Sequence, residues 1–264
     1  MKILSKGRGK MINIPIGLQM FTLRNECSND FVGTLEKVAE LGYQGVEFAG
    51  YYDLPANELK KVIDHLGLKA TSSHVPISSL EENLRKIITY EQAIGNDKIV
   101  CPFLPPERRK EEDYLHLINR LNHIGQECQK EGITFCYHNH DFELQLLSNG
   151  RTALETLLDE TNPEWVKAEL DIYWLTKVGE DPVKWLQRYK GRTPLVHLKD
   201  MTTDGEQFFA ELGTGGVDID GVLKQGPASN VEWFIVEQDR SRRSPLESIE
   251  MSIQYLKKKS VLSS

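Results

Sequence analysis

No apolar run in this chain approaches the roughly 20 residues that cross a bilayer. The basic N-terminus MKILSKGRGKMINIPIG also lacks the apolar stretch of a secretion signal. Cysteine is scarce: Cys27, Cys101, Cys128 and Cys136 contain no CxxC pair, which argues against a disulfide framework and predicts reduced, mostly buried thiols. Positive charge is in deficit. The 32 Lys and Arg face 39 Asp and Glu, a net charge of −7, which argues against the basic footprint that nucleic acid demands. Neither GxGxxG nor GxxxxGK[ST] is present, and FTLRNE follows Met20 where a Gly-rich turn would be expected. No low-complexity linker divides the chain. These absences point to a cytoplasmic protein whose partners are neither nucleic acid nor membrane. Its 39% apolar and 27% charged residues are ample for a sizeable core.

What is there is alternation. Eight short apolar runs read as strands: 14–20, 45–49, 68–75, 98–103, 133–138, 166–172, 194–200 and 231–239. Amphipathic segments lie between them. SNDFVGTLEKVAELG aligns Phe31, Leu35, Val38 and Ala39 and stops at Gly42. A second segment aligns Leu117, Leu121, Ile124 and Cys128 and stops at Gly132. Three helix starts carry capping-box spacing: Ser79 with Glu82, Thr152 with Glu155, and Ser244 with Glu247, the last followed by Pro245. Eight strand–helix units in this length predict an α/β fold, a single (β/α)8 barrel over residues 1–264 with 1–12 as a short N-terminal extension. A doubly wound open sheet is the rival.

In such a barrel, reactive residues sit at the C-terminal ends of strands. The polar residues there are Glu47, His74, His138, His140, Asp171, His197, Lys199 and Glu237. Met20, Glu47, His74 and Cys101 recur every 27 residues, as successive units would. Asp171, His197 and Glu237 come from three consecutive strands and converge on one mouth. With a ligand from the fifth strand they make a mixed nitrogen–oxygen set suited to Mn, Zn, Co or Fe, and less to Mg. An ion there would polarise a carbonyl, so that a neighbouring base could remove the adjacent carbon-bound proton. Glu169 shares the face of Asp171 one layer deeper and reads as a buried structural carboxylate. Lys199–Asp200 reads as a strand-exit ion pair, unless Lys199 reaches a substrate oxygen. His65, His116 and His123 fall inside predicted helices with no special role.

GLQMFTLR (17–24), GVEFAGYY (45–52), SSHVP (72–76), YHNHDFE (137–143), ELDIYW (169–174), HLKDM (197–201), ELGTGGVDI (211–219) and FIVEQDRS (234–241) together resemble the sugar phosphate isomerase/epimerase family of xylose isomerase-like TIM barrels. The resemblance spans nearly the whole chain. It implies one divalent metal held by His138, Asp171, His197 and Glu237, with Glu143 the alternative to His138. It implies a small-molecule carbohydrate substrate: a sugar, keto-sugar or sugar phosphate that is isomerised or epimerised. The alternative is a keto-sugar or inosose dehydratase, or a 3-keto-glycoside lyase, on the same metal.

Two departures bear on mechanism. The ketose epimerases of that superfamily carry a Glu as the fifth-strand ligand, where this chain has His138 within His-Asn-His. They often carry a His where this chain has Trp174, which offers a sugar ring a stacking face. The acid/base roles are therefore assigned to His140 or His138, with Glu237 opposing. A histidine of near-neutral pKa suits that task. Glu47, His74 and Lys199 are assigned to substrate hydroxyls, and Trp174 to the face of the substrate ring. Abasic-site nucleases share this barrel but need more metal ligands and a basic surface, and a non-catalytic sugar-binding barrel is a further reading. Barrels of the family often associate, so a homo-oligomer, with Tyr51 and Tyr52 contributing, is compatible with the sequence.

Overall fold

The computed structural model describes residues 14–259; the N-terminal extension expected over residues 1–12 lies outside them. All eight apolar runs form strands of one parallel sheet: β1 (Ile16–Gln19), β2 (Gly45–Phe48), β3 (Lys69–His74), β4 (Lys98–Cys101), β5 (Thr134–His138), β6 (Val166–Asp171), β7 (Leu195–Leu198) and, after an antiparallel ribbon of β8 (Asp200–Met201) and β9 (Phe209–Ala210), β10 (Trp233–Val236). Each strand pairs with its neighbours, and β1 pairs with both β2 and β10, so the sheet closes. That closure excludes the doubly wound sheet.

Alternation along each strand sends every second residue into the barrel. Near its base Gly17 and Gly45 leave room for Thr71: a Cβ on Gly45 would come within 2.5 Å of Thr71 Cγ2. Above lies an apolar plug of Val100, Cys136, Leu195 and Ile235. Two residues further along, the interior turns polar with His138, His197 and Glu237, all buried. The outer faces of the strands, such as Ile16, Leu18, Val46 and Phe48, pack in the main core with the helix residues Leu35, Val38, Leu117 and Leu121. The four cysteines are buried and free. Among the described residues no helix is long and apolar enough to cross a membrane.

One of the three expected capping boxes forms as read. At the start of α6 (Ala153–Glu160), Thr152 Oγ1 accepts from the Glu155 N–H at 3.1 Å, and Glu155 Oε2 accepts from the Thr152 N–H at 2.9 Å. Thr152→Ala is expected to lower unfolding free energy by about 1 kcal/mol in denaturant titrations. Ser244 does precede α10 (Pro245–Lys258), but its side chain makes no cap; Pro245 at the first position sets the start. Ser79 lies inside α4 (Ile77–Ile94), which begins after Pro76 and breaks at Asn83, where φ is −134° and ψ 24°.

The 27-residue repeat does not translate into equal depth. Glu47 pairs with Ser72, two residues before His74, even after the register shift between Val46 and Glu47, so Glu47 sits lower than the repeat suggests. Lys199 and Asp200 do not pair. Asp200 turns away and its carboxylate accepts the backbone N–H groups of Met201, Gly213, Gly215 and Val217 at 2.8–3.0 Å, which folds the loop after β7 back on itself. Gly215 is required there, since a Cβ would come within 2.2 Å of the Met201 carbonyl oxygen.

Candidate active site

Four consecutive strands of the closed sheet each end in a pair of polar residues two apart: His138 and His140, Glu169 and Asp171, His197 and Lys199, Glu237 and Asp239. The two-residue period sends all eight to the interior in two tiers. The lower tier is a hydrogen-bonded ring. Glu169 Oε2 lies 2.7 Å from His74 Nε2, 2.9 Å from His138 Nδ1 and 3.3 Å from His197 Nε2. Glu47 receives His197 Nε2 at 2.7 Å, Gln19 Nε2 at 2.6 Å and the Ser72 hydroxyl at 2.5 Å. His74 bridges the two carboxylates, with Glu47 Oε1 at 3.1 Å. Burial alone would lower its pKa, but Glu47 and Glu169 raise it to about 10, so His74 is cationic.

The ring also orients the two imidazoles it shares with the upper donors, His138 and His197. With its Nδ1–H given to Glu169, His138 presents Nε2 towards Asp171 Oδ2 at 3.7 Å. His197 has Nε2 on Glu47 at 2.7 Å and Nδ1 on Glu237 Oε2 at 2.9 Å, with Asp171 Oδ2 4.0 Å from Nδ1. Burial would lower its pKa, but Glu169 and Glu47 raise it well above the ordinary imidazole value, so both nitrogens carry protons here and an ion would take Nδ1 by displacing the proton shared with Glu237. Carboxylate–imidazole pairs of this kind orient metal-ligating histidines. Two groups bring candidate donor atoms within 4.8 Å of one another: His74, His138, Glu169 and His197 below, and His138, Asp171, His197 and Glu237 above. Donors about 2.1 Å from a tetrahedral ion are about 3.4 Å apart. The lower group's closest contacts, from 2.7 Å, are hydrogen bonds to one carboxylate oxygen of Glu169; the upper group keeps one, His197 to Glu237 at 2.9 Å, and its contacts to Asp171, at 3.7 and 4.0 Å, are near that spacing. Asp171 Oδ2 is buried and has no hydrogen-bond partner, although Lys199 Nζ stands 2.9 Å away as an ion pair. The upper donors therefore fit a divalent ion.

Asp171 Oδ1 accepts from the N–H groups of Tyr173 and Trp174 at the start of α7 (Ile172–Lys177), which aims the other oxygen inward. Asn139 locks β5 to β6, its Oδ1 accepting the Asp171 N–H at 3.0 Å. Lys199 is buried and its ammonium joins Asp171, Glu237 (2.6 Å) and Asp239 (2.8 Å). Burial would raise the Glu237 carboxyl, but the charges of Lys199 and His197 hold it well below the usual range, so it stays ionised.

His140 lies beside this set, its ring centroid 5.0 Å from His138 and packed against Phe103, Phe142 and Trp174. Its Nδ1 is buried without a partner. The near-neutral pKa expected of it is not what these surroundings give: burial, then the Lys199 charge, push it down to about 3. His140 is thus a neutral imidazole at physiological pH. Glu143 is turned elsewhere, accepting the Tyr137 hydroxyl at 2.7 Å and the His140 N–H at 2.8 Å. It holds the His140 backbone and belongs to neither donor group.

A cleft of about 430 Å³ opens over the donors, with His74, His138, His140, Lys199, Glu237 and Asp239 on its polar side. Two residues expected to touch substrate are elsewhere. Glu47 is fully buried below, both oxygens engaged. Trp174 packs behind His140 and against Tyr173 and Phe209, with Lys177 over its ring. Sequence reasoning passed over Asp239, which repeats the two-residue pattern after Glu237, and the aromatic walls Phe21 and Phe103, which carry no polar signal. His65, His116 and His123 are exposed on α3 (Ala56–His65) and α5 (Glu111–Lys130).

The profile of the xylose isomerase-like TIM barrel family matches residues 35–259. A protein named inosose dehydratase from Clostridium botulinum is 26% identical over 88% of this chain and 90% of its own length. The structure of a sugar phosphate isomerase/epimerase from Parabacteroides distasonis superposes with a TM-score of 0.83, at 25% identity over 98% of both chains. That of the IolI protein, solved with a zinc atom, is 13% identical and shares the fold at a TM-score of 0.75 over 95% of this chain and all of its own.

Proposed function

We propose that this chain, which belongs to the xylose isomerase-like TIM barrel family, is a metal-dependent dehydratase of a cyclic keto-polyol of the inosose kind. The observation that carries the reading is the two-tier set: donors oriented from below by buried carboxylates, beside a neutral, unpartnered His140 at the cleft. The relatives named inosose dehydratase favour loss of water over the isomerase or epimerase reading.

His138, Asp171, His197 and Glu237 would hold Mn, Zn, Co or Fe, the mixed donors being less suited to Mg. The bound ion would withdraw electrons from a ketone oxygen and acidify the neighbouring C–H. His140 takes that proton. The C–H electron pair becomes a C=C bond as the C–O bond at the next carbon breaks. The resulting imidazolium, a strong acid in its apolar setting, returns the proton to the departing hydroxide, so water leaves and the base is restored. Lys199 and Asp239 are placed on the cleft wall to bind hydroxyls, and His74 supports from the lower edge.

Epimerisation would need a second proton carrier on the opposite ring face. Glu237, held ionised between Lys199 and His197, is the only carboxylate of the donor set on the cleft wall. Incubating the manganese-loaded protein with a keto-inositol in D2O separates the two. Stoichiometric water loss, with the absorbance of an unsaturated ketone, is expected. Deuterium incorporation without water loss would transfer the assignment to an epimerase, and neither change would remove both.

A further inference from the structure

Lys199 touches the donor set at the two atoms that matter most to it. Its buried Nζ lies 2.9 Å from Asp171 Oδ2 and 2.6 Å from Glu237 Oε2. These are not spare oxygens. Asp171 Oδ2 is the atom that faces His138 Nε2 at 3.7 Å, and Glu237 Oε2 is the atom that meets His197 Nδ1 at 2.9 Å. The ammonium therefore sits on the very oxygens that the upper group would give an ion. Two cations repel at such distances, and burial removes the water that would screen them. The same two oxygens serve one cation or the other.

The ammonium also has a second station. Its hydrogen bond goes to Asp239 Oδ2, at 2.8 Å. Its contacts to Asp171 and Glu237 are ion pairs, and Asp171 Oδ2 accepts no hydrogen bond from any group. Asp239 belongs to neither group of candidate donors. It lies two residues past Glu237 on the cleft wall, and its side chain is 24% exposed where that of Asp171 is fully buried. The four-carbon stem of a lysine turns about several single bonds and carries a compact charge. Nζ can thus leave Asp171 and Glu237 while keeping Asp239.

We infer that Lys199 is a built-in competitor for the metal site: its ammonium and a divalent ion contend for Asp171 and Glu237, and Asp239 is the station to which the ammonium withdraws when the ion binds. The donor set rests on the function proposed above, whereas the competition is read from metal affinity with no substrate present. Withdrawal costs the ammonium two of its three carboxylates, so the lysine holds metal affinity below what the four donors alone would give. Asp239 lowers that cost.

Calorimetric titration with manganese of the parent, Lys199→Met, Asp239→Asn and the double variant separates these terms. Lys199→Met removes the competitor and is expected to bind manganese about tenfold tighter, the lower end of the coupling between close charges. Asp239→Asn leaves the ammonium nowhere to go and is expected to weaken binding about tenfold. On the Lys199→Met background the same change should do little, because no ammonium is left to receive. A Lys199→Met protein that binds no tighter than the parent would overturn the competition. So would an Asp239→Asn effect of equal size on both backgrounds, which would make Asp239 a ligand or a bystander charge. If Lys199→Met does not fold, crystals of the manganese-loaded parent decide. Nζ is expected within hydrogen-bond reach of Asp239 alone; Nζ still on Asp171 or Glu237, or a parent that takes up no manganese, would overturn the inference. Keto-inositol turnover is scored apart. Its absence with the affinity pattern intact removes the dehydratase and leaves the competition, and its presence with equal affinities does the reverse.

Discussion

His140→Ala is expected to lower turnover by about 10²- to 10⁴-fold, the range for a lost proton carrier, while the protein keeps its full complement of divalent metal. His138→Ala should instead lose the metal. The two histidines are two residues apart and both face the interior, yet their surroundings differ. His138 has one nitrogen held by Glu169 and the other aimed at Asp171. His140 has a buried nitrogen with no partner, surrounded by rings that disfavour its charged form. Metal content by elemental analysis, alongside kcat, separates them. A His140→Ala protein that purifies without metal would make His140 a ligand and sink the assignment. Glu143→Gln distinguishes the other alternative: because Glu143 holds the His140 backbone rather than facing the donors, metal should be retained and kcat should fall.

Glu169→Ala should have the largest effect on stability. One carboxylate oxygen faces three imidazoles, one of them the cationic His74. Removing it leaves a buried charge with Glu47 as its remaining partner and frees the ring of His138, whose Nδ1 it holds at 2.9 Å. Breaking a buried ion pair from one side costs about 3–5 kcal/mol, and losing the group that orients a ligating histidine weakens metal binding by about 10- to 100-fold. Denaturant midpoints, with metal titration of the milder Glu169→Gln protein, read the two effects apart. A Glu169→Ala protein as stable as the parent would show that the lower ring carries little.

The fold was legible because its strands are near-continuous apolar runs separated by helical periods, the pattern of a sheet buried on both faces. Asp171, His197 and Glu237 were legible because consecutive strands brought them to one end. What stayed hidden depends on register and side-chain direction. The pairing of Glu47 with Ser72 rather than His74 is invisible in a spacing of 27 and leaves that residue in the ring below the cleft. Glu169 looked structural for its depth, and depth is what lets it reach three histidines. Trp174 follows a strand-end aspartate, but that aspartate caps α7 and carries the indole behind His140. Ser79 and Ser244 match a capping pattern that Pro76 and Pro245 override by fixing the helix starts themselves.

The hold of Asp200 on four backbone N–H groups has a consequence for how this barrel can change. Since the partners of that one carboxylate are main-chain N–H groups rather than other side chains, the turn at residues 203–206 behaves as an exchangeable cassette. Its sequence and length can drift over generations while Lys199, one residue before the anchor, keeps its address above the donors. That edge of the barrel can therefore change without re-inventing the chemistry beneath it.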